Sequence, residues 1–169
     1  MAREVYSLLY RLDGRERFLL WFSDESDGVI TDAEGSVPTF ASARELDGYA
    51  RRASLTLSNE EPRLHDLDAV RAWLADPRAE TIDCDESLCA WNLFVDVARS
   101  VTETSEEFLA VDGAQGSLYE RVFWGCNLPA VTPDGEAFHP SWTRDEVRAL
   151  AAVLTRGLEL FARVTRGRR

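Results

Sequence analysis

The apolar residues of this chain change period once, and that change limits what it can fold into. From Val5 to Leu12 they alternate, with Tyr6, Leu8, Tyr10 and Leu12 on one face and Val5, Ser7, Leu9 and Arg11 on the other. A two-residue repeat of this kind is the mark of a strand. Asp13-Gly14 is a hairpin signal, and Arg17 to Phe22 returns as a strand with two greasy faces, more central than the first. Ser23 to Gly28 reads as an acidic turn. Val29-Ile30-Thr31 then adds a third short strand before a turn at Glu34-Gly35. After Phe40 the period moves to near 3.6. The reading is α+β: an N-terminal antiparallel sheet packed against several helices.

The helices have start and stop signals. Ser42 with Glu45 forms a capping box for a helix over 42–53, with Leu46, Tyr49, Ala50 and Ala53 at helical spacing. Leu55-Thr56-Leu57 reads as a strand returning to the sheet. Asp66 caps a helix over 66–75, which Asp76-Pro77 stops. Asp83 or Asp85 caps a longer one over 86–99, with Leu88, Trp91, Val95 and Ala98 inward. Asn92, Asp96 and Arg99 form an adjoining stripe on which Asp96 and Arg99 are placed to pair. Thr104 to Glu107 is a second capping box, for a short helix cut off by Asp112-Gly113 and Gly116.

A long C-terminal helix over 143–163 is the clearest element. Thr143 and Glu146 form its capping box, Trp142 and Val147 its hydrophobic staple. Val147, Leu150, Ala151, Leu154, Leu158 and Phe161 trace its apolar stripe. Gly157 weakens it by about 1 kcal/mol relative to alanine, which fits a close approach by another element. Residues 163–169 read as a basic tail that frays. With 169 residues and no internal repeat, low-complexity tract or linker, residues 1–169 form a single domain.

The stretch from Tyr119 to Trp142 gathers two of five tryptophans, three of six prolines and one of two histidines. The expectation is an ordered loop threaded along the core, with Trp91, Trp124 and Phe161 buried together. Asn127, Glu136 and His139 would then be held near its edge.

Charge narrows the partners. The net charge is −11, and arginine supplies all 19 basic residues. Nucleic acid and anionic membranes need a positive surface, so neither is expected. From Glu80 to Glu120 ten acidic residues face one arginine, and the segment carries −9 of the −11. Such clustering steers a basic partner, although carboxylates at helix starts also complement the helix dipole.

Chemistry has few footholds. Cys84, Cys89 and Cys126 make no CxxC pair, and neither metal-ligand spacing nor a phosphate-cradling glycine loop is present. No cofactor or metal is expected. Cys126 with His139 and Asn127 or Asp134 matches a Cys-His-Asn set in composition, but neighbouring Cys126 and Asn127 seldom converge on one imidazole. The N-terminus lacks an apolar leader pattern and no window is apolar for about 18 residues, so a cytoplasmic location is expected.

In style the chain resembles small proteins of GC-rich actinobacteria and the immunity proteins that neutralise cognate toxins in bacterial competition. The segments that prompt this are Val37-Pro38-Thr39-Phe40-Ala41-Ser42 with Leu46, and Phe123-Trp124-Gly125-Cys126-Asn127-Leu128-Pro129. The resemblance implies a non-catalytic inhibitor whose carboxylates fill a basic cleft. No binding residue carries over from that class. Charge and side-chain type instead nominate Asp83, Asp85, Glu86, Glu103, Glu106 and Glu107 as contacts for a basic protein partner, with Phe108 or Phe138 as buried anchor. One alternative is a structural or regulatory subunit, dimeric through the 143–163 helix. The other is a hydrolase using cysteine or carboxylates.

Overall fold

A computed structural model describes residues 3–101 and 105–166. The strands β1 (Glu4–Leu12) and β2 (Arg15–Ser23) form the expected hairpin, with Leu8 opposite Leu19 and Tyr6 opposite Trp21. Asp13 and Gly14 both take positive φ, 55° and 69°, as the tight turn requires. The Asp68 carboxylate accepts hydrogen bonds from both their backbone N–H groups, at 2.9 and 2.8 Å. β3 (Gly28–Val29) pairs antiparallel with β2.

The fourth strand differs from expectation. β4 (Leu64–Asp66) lies beyond β1 and runs parallel to it, so the order is β3-β2-β1-β4 and the sheet is mixed rather than wholly antiparallel. Leu57 reaches the sheet through one parallel bridge to Val5 and forms no strand. Both central strands bury residues on two faces.

Those faces meet different partners. On one, Val5 and Leu20 pack with Phe40 and Leu46, the latter from α1 (Ala43–Arg52). On the other, Leu8, Tyr10, Leu19 and Val29 join the main core with Trp91, Phe94 and Phe161. α2 (Leu67–Ala75), α3 (Cys84–Ser100) and the 22-residue α6 (Arg144–Thr165) supply most of that core. Ser42, Asp66 and Asp83 each accept a backbone N–H and Thr143 with Glu146 completes a capping box, as read, but the Ser42 box stays half-formed because the Glu45 carboxylate accepts the Ala41 N–H at 3.0 Å. α6 continues to Thr165, two residues past the expected start of the tail, because Phe161 and Thr165 still face the core.

Two further helices replace what read as helix and loop. α4 (Glu106–Gly113) follows Ser105, whose hydroxyl donates to Val101 O at 3.1 Å; Thr104, the first residue of the expected capping box, lies outside the described residues. α5 (Gly116–Gly125) covers the first part of the stretch expected to be a loop. Its glycines sit at the helix ends, where they do not break it, and Leu118 and Val122, four apart, face inward.

Candidate functional site

Surface chemistry concentrates where the start of α3 meets the segment 126–142. Asp83 ends the preceding turn, and its side chain accepts the Glu86 N–H at 3.0 Å. Asp85 is ion-paired with Arg63. Glu86 points outward, and its carboxyl is pushed up by desolvation and by the charges of Asp83, Asp66 and Asp85. Crowded negative charge therefore persists after the cap and the ion pair have formed.

The facing segment is fixed by Asn127. Its backbone is left-handed, with φ 48°. Its side-chain N–H₂ donates to Gly125 O at 3.1 Å and Phe138 O at 2.9 Å, and its Oδ1 accepts the Phe138 N–H at 2.6 Å. This closes residues 127–138 into a loop at the end of α5. A cleft of 500 Å³ lies between the loop and α3, lined by Asp83, Cys84, Asp85, Cys126, Phe138 and His139 among others.

Trp124, expected in the core, is 48% exposed. The helix explains it: Trp124 lies two positions, about 200° of rotation, past the inward Val122. Phe138 is 41% exposed and Val131 46%, and with Trp124 they are the exposed large hydrophobics among the described residues. Trp91 and Phe161 are fully buried in one core, as expected.

The nominated residues divide. Asp83, Asp85 and Phe138 line one cleft, with Glu86 beside it. Glu106 and Glu107 are exposed at the start of α4, held against the far end of α3 by the Ser105–Val101 bond. Seventeen residues of helix separate the groups, about 25 Å at 1.5 Å per residue, well beyond a physiological Debye length of about 8 Å. The described carboxylates among them thus make two separate fields. Glu103 lies outside the described residues. Phe108 is 2% exposed and stacks edge-on against Phe94, so it belongs to the core and offers no surface anchor.

The Cys-His-Asn set does not assemble. Cys126 and His139 line the same cleft, yet the Cys126 thiol donates to Val122 O at 3.3 Å, and no hydrogen bond joins it to His139 among the described residues. Desolvation, then the nearby Cys84 thiol and acidic neighbours, push the Cys126 thiol up to about 12. That disfavours the thiolate a nucleophile needs. Asn127 is occupied by the loop.

Sequence reasoning missed a second acidic cleft along α3. Asp96 accepts the Trp21 indole N–H at 2.8 Å rather than pairing with Arg99, and burial raises its carboxyl. Asp24, Glu25, Asp27 and Asp112 line the same 740 Å³ cleft. The stripe Asn92–Asp96–Arg99 was legible; that the β2–β3 turn lies over it was not.

No protein-family model, curated protein or solved structure matches this chain.

Proposed function

We propose that this chain is an acidic protein-binding module that docks a basic partner on the edge formed by the start of α3 and the loop 126–142. One observation carries the reading. Trp124, Val131 and Phe138, the exposed large hydrophobics among the described residues, all fall on one short segment, and that segment borders Glu80, Asp83 and Asp85. Exposed aromatics beside like charge have the anatomy of a docking surface: aromatic side chains supply desolvated anchors, and charges steer encounter and set orientation.

The immunity-type mechanism is the form of this function that the resemblance implies. Carboxylates at the edge would enter a basic cleft of a toxin domain, and the aromatics would seal it. Function then needs no covalent step, in keeping with a Cys126 thiol held protonated.

The test is binding to the basic C-terminal domain of a toxin encoded beside this chain, measured over a salt series. The expected result is affinity that falls as salt rises and drops further in Glu80→Arg/Asp85→Arg. Unaltered binding in that variant removes this edge from the interface, and no binding by the parent chain rejects that partner.

A further inference from the structure

A cavity of 380 Å³ opens between the β1–β2 hairpin and the end of α6. Arg15, Arg17 and Arg166 stand in its lining with Tyr10 and Thr165, against one carboxylate, Asp13. In a chain of net charge −11, this is a local reversal of sign. It shares no residue with the acidic edge.

Asp13 is engaged chiefly by Arg71, with which it is ion-paired, and offsets the charges of Arg166 and Arg15 only in part. That hydrogen bond and charge hold its carboxyl below the usual carboxylate range, so it stays ionised and engaged. Arg17 is half-buried, and its guanidinium donates to Thr39 Oγ1 at 3.1 Å and Thr39 O at 3.3 Å, both uncharged acceptors. Neither Arg17 nor Arg15 pairs with a carboxylate among the described residues. A half-buried guanidinium ordinarily has a counter-ion, since desolvating an unpaired charge is costly. The Tyr10 ring is buried edge-on against Phe161, with centroids 4.9 Å apart, and its hydroxyl is hydrogen-bonded among Thr39, Thr165 and Arg17 at the floor.

We propose that this cavity binds a phosphate monoester with an apolar body. Guanidinium forks match phosphate oxygens in pairs. A phosphate monoester carries about −1.5 to −2 at neutral pH, opposite in sign to the three arginines of the lining. Ala162 and Arg166 also line a neighbouring cleft of 710 Å³ between α2 and α6, where Leu74, Ala75 and Leu158 offer an apolar wall. The phosphate sits among the arginines and the organic part lies along that wall.

The probe is phenyl phosphate, titrated into the full chain at fixed ionic strength and followed by calorimetry and by the arginine side-chain N–H resonances. Inorganic phosphate and benzoate are the comparison arms. Saturable binding at one site is expected, with the Arg17 Nε–H resonance shifted and inorganic phosphate weaker for lack of the apolar body. Arg17→Gln risks disturbing the Thr39 contacts, so the deciding variants are the exposed Arg15→Ala and Arg166→Ala. Each should weaken phenyl phosphate on the order of tenfold, the loss of one charge-assisted hydrogen bond. Non-saturating titration, or unchanged affinity in both variants, overturns the proposal. Benzoate binding as tightly as phenyl phosphate overturns the phosphate assignment in favour of a carboxylate ligand.

Discussion

Gly157 of α6 lies flush against Phe94 of α3. A methyl group at Gly157 would stand 2.8 Å from Phe94 Cβ and closer still to the ring carbons. The mid-helix glycine is therefore a packing requirement, and the close approach inferred from the sequence is present. Gly157→Ala should destabilise the chain although alanine favours helix by about 1 kcal/mol. Phe94 is fully buried and has nowhere to move, and overpacking of such a site costs about 1–3 kcal/mol or more. Urea unfolding checks this; a more stable alanine variant would mean that α3 and α6 pack less closely.

Asn127 should matter more than its partial exposure suggests. It makes three hydrogen bonds, two of them with the Phe138 backbone, from a left-handed conformation. Asn127→Ala loses the bonds, each worth about 1 kcal/mol, and places a Cβ where φ is unfavourable. Asn127→Gly loses the bonds alone. The expected order of stability is parent, glycine, alanine, with total losses of about 1–4 kcal/mol. Amide exchange at Phe138 should quicken in both variants. Slow exchange retained in both would show that the loop is closed by other contacts.

His65 gives stability a pH dependence whose sign is fixed. Burial first, then the charge of Arg63, lower its pKa from the ordinary 6.5, and its buried Nδ1 has no hydrogen-bond partner. The unfolded chain therefore takes up the proton first. Stability from this group is complete above pH about 6.5 and is lost as pH falls from there towards the lower folded value. Raised carboxyls at Asp96 and Glu86 act in the opposite sense at more acid pH, since the folded chain binds those protons more readily. Chemical denaturation from pH 7.5 to 5.5 should show a decline that His65→Gln flattens. Equal slopes for parent and variant would contradict the assignment.

The fold was legible where local signals agree with long-range packing. The Asp13-Gly14 hairpin, the caps at Ser42, Asp66, Asp83 and Thr143, and the stripe of α6 are each written in a few adjacent residues. β4 was hidden because Leu64–Asp66 is three residues long and is a strand only through its contact with β1. α5 was hidden by its end glycines, and with it the direction of Trp124. The site was half legible for the same reason. Residue types at Asp83, Asp85 and Phe138 suggested binding, but their distance from Glu106 and Glu107 follows from the length of α3, and burial of Phe108 from how α4 lies on Phe94.

The central claim is that carboxylates at the start of α3 steer a basic partner and that aromatics of the neighbouring segment hold it. The most direct measurement is the association and dissociation kinetics of that complex in two variant pairs. Glu80→Arg/Asp85→Arg should lower the association rate and flatten its salt dependence. Trp124→Ala/Phe138→Ala should leave thermal stability nearly unchanged, because both side chains are exposed, and should raise the dissociation rate by roughly thirtyfold or more, as hot-spot truncation does. Parent-like rates in both pairs would contradict the account.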